Sequence, residues 1–264
     1  MFQEKNSFIK AKKKYGQNFL NDRNIIEKII SVIDPKDKKI LEIGPGMGAI
    51  TKFLAPQAKK FIAFEIDPDM SDYLISNKIL ESEQIVLEDF LKVELDKFKD
   101  FEVVGNIPYY ITSDIIFKLI DYRHLFKSAI LMVQDEVADR LIAKVNSSNY
   151  SKLSITTQYV AKVEKLFKVK KNLFVPIPKV DSAIIKLSFY QNKNDNFEEL
   201  KDFFKLCFMA RRKKLNFALK TKYESIKIEK AYKIMQLDEM TRIQELDLNT
   251  IVKLFYTLEK EAGN

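Results

Sequence analysis

The first half of the chain carries short apolar runs at residues 39–43, 61–66, 84–87, 101–105 and 129–133, each separated from the next by a stretch long enough for a helix or loop crossover. This alternation predicts an α/β fold, with a mostly parallel sheet and helices on both faces. Ahead of it, Ile25, Ile26, Ile29, Ile30 and Ile33 recur at helical spacing behind a polar cap, which predicts a helix over 22–33. Two further strands are predicted at 162–169 and 182–190, and their close spacing suggests an antiparallel pair at the end of the sheet. The polar stretch 192–196 marks a boundary. From Phe197 onward there is no proline and one late glycine, Gly263, so an all-helical region is expected. The expected domains are 1–191, built on the sheet, and a small helical domain at 192–264.

The residue inventory removes several kinds of chemistry. One cysteine, Cys207, excludes an internal disulfide, and with one histidine, His124, the usual Cys/His zinc sites cannot be assembled, so no metal is expected. Cys207 lies among Phe203, Phe204, Leu206 and Phe208 and reads as core. Ser-His-Asp and Cys-His catalysis would both have to use His124, which has no motif around it. A group transfer whose reactivity resides in a cofactor fits this poverty better than hydrolysis. There is no run of about 18 uncharged apolar residues. Residues 1–14 are polar and lysine-rich, so a cytoplasmic protein with no membrane partner is expected.

The net charge of +8 is unevenly spread. Segments 1–14, 162–171 and 201–222 carry five, five and eight Lys/Arg against one acid each, leaving the rest of the chain net negative. Such asymmetry suggests a polyanion-binding surface, because neutralising phosphates releases condensed counterions.

The run Ile-Leu-Glu-Ile-Gly44-Pro-Gly46-Met-Gly48 ends a predicted strand and opens a predicted helix. In that context glycines let the backbone turn sharply and approach a nucleotide without side chains in the way, although similar spacings occur in plain turns. Two acids sharpen the reading. Glu65 ends the second strand, where a carboxylate can accept from ribose hydroxyls, and Asp89 ends the third, where one can accept from an adenine amino group. Either alone could equally cap the following helix. Together with the glycine turn they converge on the carboxyl edge of successive strands, where open α/β sheets bind ligands.

The fourth strand ends in Val103-Val104-Gly105-Asn106-Ile107-Pro108-Tyr109-Tyr110. Adenine N6 is a poor nucleophile because its lone pair is delocalised into the ring. The Asn106 side-chain oxygen and a backbone carbonyl, that of Ile107, can accept its two hydrogens and favour a more pyramidal nitrogen. Pro108 fixes the direction of that carbonyl through its restricted φ. Tyr109 offers a flat face for an extruded base, worth roughly 1 to 3 kcal/mol. Methyl transfer then depends on positioning and oriented dipoles, with no histidine or metal required.

These motifs resemble the ribosomal RNA small-subunit adenine N6-dimethyltransferase family nearly end to end. Alongside Glu-Ile-Gly-Pro-Gly-Met-Gly and Gly-Asn-Ile-Pro-Tyr, the resemblance is carried by Tyr15-Gly-Gln-Asn18-Phe-Leu20, Met132-Val-Gln-Asp-Glu-Val-Ala-Asp-Arg-Leu, Phe174-Val-Pro-Ile-Pro-Lys-Val-Asp181-Ser and Arg211-Arg-Lys-Lys-Leu. It implies a Rossmann-like methyltransferase domain that takes S-adenosylmethionine as methyl donor. The substrate it implies is a pair of adjacent adenosines near the 3′ end of 16S rRNA in the 30S subunit, dimethylated during small-subunit biogenesis. By the same resemblance Asn18 and Leu20 join Gly44, Gly46, Glu65, Asp89 and Asn106 around the cofactor, and Phe174 covers the target base opposite Tyr109. Arg211, Arg212, Lys213 and Lys214, expected on a helix, would dock RNA, and a monomer suffices. Read alone, Gln-Asn-Phe-Leu is a helix lead-in and Phe174 a core aromatic. Arg140 is open between a structural and an RNA-facing role.

Two alternatives differ in consequence. The 23S rRNA adenine methyltransferases of the macrolide-resistance type have a similar Gly-Asn-Ile-Pro-Tyr-Tyr motif, but Pro-Lys-Val-Asp181-Ser, the Glu-Val-Ala-Asp-Arg-Leu run followed by Tyr150-Ser-Lys-Leu-Ser, and Arg211-Arg-Lys-Lys favour the small-subunit family. The other is a non-catalytic ribosome-assembly factor, against which the intact Glu65, Asp89 and Asn106-Ile-Pro-Tyr argue.

Overall fold

A computed structural model describes residues 11–191 and 196–260; residues 1–10 of the lysine-rich stretch 1–14 and residues 192–195 of the expected boundary lie outside the described residues. The strands are β1 (Phe19–Leu20), β2 (Lys39–Ile43), β3 (Lys60–Glu65), β4 (Ile85–Leu87), β5 (Phe101–Asn106), β6 (Phe126–Gln134), β7 (Ala161–Val169), β8 (Phe174–Val175) and β9 (Ser182–Phe189). Seven of them form one sheet in the order β4-β3-β2-β5-β6-β9-β7. β4, β3, β2, β5 and β6 are parallel, and β9 runs antiparallel to β6. The predicted terminal strands are both present and adjacent, with β9 inserted between β6 and β7. Ile40, Leu41, Ala63 and Val103 are fully buried, as expected for strands covered on both faces. The strand order changes direction at β2 and β5, so a crevice opens outside their carboxyl ends.

The helices are α1 (Arg23–Ile33), α2 (Thr51–Leu54), α3 (Pro68–Ser76), α4 (Thr112–Asp121), α5 (Asp135–Leu141), α6 (Lys152–Val160), α7 (Phe197–Phe208), α8 (Leu215–Leu219), α9 (Ser225–Met235) and α10 (Leu248–Lys260). Helix α1 starts where its polar cap predicts: the Asp22 carboxylate accepts from the Ile25 N–H at 2.9 Å, satisfying one orphan donor of the first turn. Its apolar stripe buries Ile26, Ile29 and Ile33.

The chain divides into two compact units, residues 1–138 with 164–191 and residues 139–163 with 192–264. The first holds an apolar core joining Ile26, Ile29 and Ile33 to Ile40, Val104, Met132, Phe174 and Ile184. The second is helical, with Phe203, Phe204 and Phe255 buried. Phe203 meets Phe255 at a centroid distance of 5.4 Å. Cys207 sits in this core, where burial pushes its thiol far above the ordinary range and leaves it protonated and unreactive. The run Arg211-Arg-Lys-Lys, expected on a helix, forms the turn between α7 and α8. The Lys214 backbone is extended there (ψ 143°), and α8 begins only at Leu215.

Candidate active site

The cleft at the carboxyl ends of β2, β3 and β5 is lined by residues from several separated stretches, among them Asn18, Leu20, Gly44, Gly46, Glu65, Asp89, Asn106, Ile107, Pro108 and Tyr109. Ten of the sequence-derived positions are therefore brought to one place by the fold.

Its floor is the glycine turn. Gly46 has φ +55°, a conformation L side chains rarely adopt, and a Cβ there would come within 3.1 Å of the Phe19 ring. Gly105 is required for a different reason. A Cβ on it would lie 2.6 Å from the Ile43 carbonyl oxygen on the neighbouring strand, so any other residue would force β2 and β5 apart immediately before Asn106.

Glu65 is 4% exposed and accepts three backbone N–H bonds, from Gly46 at 3.1 Å and from Ile66 and Asp67 at 2.9 Å each. Burial pushes its carboxyl above the ordinary range while those donors pull it back. Three of about four lone-pair positions are thus engaged, leaving acceptor capacity at the cleft. Asp89 lines the cleft, and its side chain accepts from the Leu91 N–H at 3.0 Å as a turn cap.

Asn106 is the hinge between the cofactor side and the acceptor side. Its Nδ2 donates to the Asn18 carbonyl oxygen at 3.0 Å. A carbonyl can only accept, so this bond fixes which end of the amide is which and leaves Oδ1 as the remaining acceptor. The Ile107 N–H donates to the Met132 carbonyl at 3.0 Å, and Pro108 follows with φ −56°, so the Ile107–Pro108 peptide is held from both sides. Asn18 itself is set by an Nδ2 bond to the Gly16 carbonyl at 3.0 Å.

Several participants had no visible signal in the sequence. Asp67, fully buried, accepts from Lys12 Nζ at 2.6 Å and from Gln17 Nε2 at 2.8 Å, while its own N–H serves Glu65. Lys12 also reaches Asp69 at 2.6 Å. Burial alone would raise the Asp67 carboxyl, but Lys12 and Gln17 outweigh it and hold it below the usual carboxylate range. This network ties segment 12–18, which carries Asn18, to the loop that follows Glu65 at the end of β3. Behind the turn, Glu42 accepts from Thr51 Oγ1 at 2.8 Å; both residues are buried, and desolvation pushes the Glu42 carboxyl up to about 8. Burial thus favours its neutral form, which limits the negative charge packed behind Glu65.

Phe174 is placed elsewhere. It pairs with Leu20 in the β1–β8 ribbon and is 1% exposed within the core of the first unit, so it offers no face to a base in this structure. Its side chain belongs to the same apolar core as Leu20, Val169 and Ile184, and this burial accounts for the difference from the expected stacking role. The basic segments also need adjusting: Lys165 and Lys168 are paired with Asp135 at 2.6 and 3.0 Å, and Lys168 also with Asp181 at 3.0 Å, so part of the positive charge of 162–171 is neutralised internally. In the helical unit Arg211 Nη2 donates to the Ser147 carbonyl at 3.1 Å, whereas Arg212, Lys213 and Lys214 are exposed. Lys213 lies over the half-exposed Phe217 ring, 3.9 Å from its centroid.

A strand-turn cradle free of side chains, a buried carboxylate at the next strand end and a rigid Asn-Ile-Pro-Tyr corner define an S-adenosylmethionine-dependent methyltransferase of the Rossmann-like class, and these residues fit that cofactor. The family model described as Ribosomal RNA adenine dimethylase matches residues 8–260. The chain belongs to that family. It is 51% identical to a Ribosomal RNA small subunit methyltransferase A of Mycoplasmopsis synoviae (strain 53), covering 93% of this chain and 96% of that one. Among solved structures it is similar to a dimethyladenosine transferase from Plasmodium falciparum, with TM-score 0.78 and 32% identity over 92% of this chain and 98% of the other. It is also similar to the 23S rRNA methyltransferase ErmE, with TM-score 0.69 and 29% identity over 92% of this chain and 100% of the other.

Proposed function

We propose that the chain methylates N6 of two adjacent adenosines near the 3′ end of 16S rRNA within the 30S subunit, giving N6,N6-dimethyladenosine in small-subunit biogenesis. The observation that carries the chemistry is the fixed Asn106 amide, whose Nδ2 is committed to Asn18 and whose Oδ1 is left to accept from an exocyclic amine. When bound, S-adenosylmethionine supplies a methyl group activated by its sulfonium. Asn18, Leu20, Gly44, Gly46, Glu65 and Asp89 hold that donor. Asn106 Oδ1 and the Ile107 carbonyl orient the amine, and Tyr109 supplies the face on which the base lies. The identity to proteins named for the small subunit supports the 16S substrate over the 23S one. The protein acts as a cytoplasmic monomer. Primer extension on 16S rRNA from a strain lacking the methylation, complemented with this gene, is expected to restore stops at the paired adenosines. Stops on 23S rRNA instead would move the substrate, and no stops on either would overturn the function.

RNA docking falls to Arg212, Lys213 and Lys214 of the helical unit, with Arg211 bracing the turn. Replacing those three by glutamine is expected to weaken 30S binding and to lower the slope of log affinity against log salt by about two to three, close to one for each phosphate no longer neutralised. Binding measured across a salt series checks this. A slope unchanged from the parent would remove the turn from the RNA interface.

A further inference from the structure

We propose that Ser182 is a positioning residue for methyl transfer, clamping the Tyr109 phenol so that the ring presents one fixed plane to the target adenine. The inference rests on the reading of Tyr109 as the base platform. The Ser182 hydroxyl is fully buried, and its Oγ lies 2.7 Å from the Tyr109 hydroxyl. Ser182 opens β9 and stands in register with Gln134, the last residue of β6, so it sits at the same sheet edge as the cleft. Its main chain is fixed by that register and, one residue earlier, by the Asp135 N–H donating to the Asp181 carbonyl at 3.0 Å.

The anchoring is doubled at the other end of the motif. Ile184, two residues along β9, faces Met132, whose carbonyl accepts the Ile107 N–H. The β6–β9 pair therefore holds Ile107 by its backbone and Tyr109 by the tip of its side chain. A tyrosine ring turns about two side-chain torsions. With the backbone held and the hydroxyl pinned, both torsions are fixed before substrate arrives, and less ordering entropy remains to be lost on binding. The neighbouring Tyr110, whose hydroxyl donates instead to the Lys14 carbonyl at 3.3 Å outside the sheet, is 62% exposed.

The competing explanation is that a buried serine merely needs a partner and that Tyr109 supplies one. Breaking the same bond from either end separates the two. Ser182→Ala and Tyr109→Phe should each lower kcat on 30S particles about three- to tenfold, the range expected for one hydrogen bond, with KM for S-adenosylmethionine unchanged. The double variant should be no slower than the singles within twofold, because the second change removes nothing further. With 2-aminopurine in place of the target adenosine, both singles should show weaker fluorescence quenching, a readout that a purely structural role would not move. Multiplying losses in the double variant, or a Ser182→Ala enzyme with parental kcat and quenching, would overturn the proposal. Tyr109→Phe breaks the bond even if Ser182→Ala folds poorly, and parental behaviour of that variant overturns it equally. Tyr109→Ala tests the underlying reading separately: near-parental turnover would remove Tyr109 as platform, whereas a loss beyond a hundredfold with multiplying single losses would remove Ser182 alone.

Discussion

Asn106→Ala is expected to cut single-turnover methylation of 30S particles by about two to three orders of magnitude, the effect of deleting one preorganised polar group at a reacting centre. Two interactions disappear together. The Oδ1 acceptor for the exocyclic amine goes, and so does the Nδ2 bond to the Asn18 carbonyl that ties the acceptor side of the cleft to the cofactor side. Particle affinity should stay within twofold of the parent, because the turn proposed to dock RNA belongs to the helical unit. A filter-binding assay run beside the rate measurement separates these effects. Undiminished methylation would mean that the amine is held by other groups.

Glu65→Gln is expected to weaken S-adenosylmethionine binding by about 10- to 100-fold, since a charge-assisted hydrogen bond is worth roughly 1.5 to 3 kcal/mol. The substitution also strikes the turn, because an amide cannot serve all three of the Gly46, Ile66 and Asp67 N–H donors as the carboxylate does. A lower thermal midpoint should accompany the weaker binding. The pH dependence gives a second check. Burial raises the Glu65 carboxyl, so the parental affinity should be present at neutral pH and fall as acid protonates this group, beginning at a higher pH than an ordinary glutamate would show. Titration calorimetry across that range reads both effects, and an affinity independent of Glu65 would place the ribose elsewhere.

The parts of this fold legible in the sequence are those that repeat. Strands covered on both faces leave unbroken apolar runs, so β2, β3, β5 and β6 stand out, and α1 declares itself by its isoleucine spacing and the Asp22 cap. The acids and glycines of the site were legible because each sits at a strand end. What could not be read is nonlocal. The β1–β8 ribbon has two residues on each side, too few to show a period, and the core that buries Phe174 draws on distant segments. Lys12 and Gln17 converge on Asp67 across about fifty residues of chain, and Ser182 meets Tyr109 across 73. Glu42 hides inside an apolar run, and only its full burial against Thr51 reveals an acid whose neutral form is favoured. Arg211-Arg-Lys-Lys looked like one basic face, but a turn divides it between a residue bonded to Ser147 and three exposed to solvent.

The proposed role of the Asn106 corner is to direct methyl groups from S-adenosylmethionine to adenine N6 on small-subunit RNA. It is tested most directly by incubating unmethylated 30S particles with the full chain and methyl-labelled S-adenosylmethionine, then digesting the 16S rRNA to nucleosides for mass spectrometry. Label is expected in N6,N6-dimethyladenosine, approaching two such nucleosides and four labelled methyl groups per particle. Label in another nucleoside, or none in 16S rRNA under conditions where the particles bind, would contradict it.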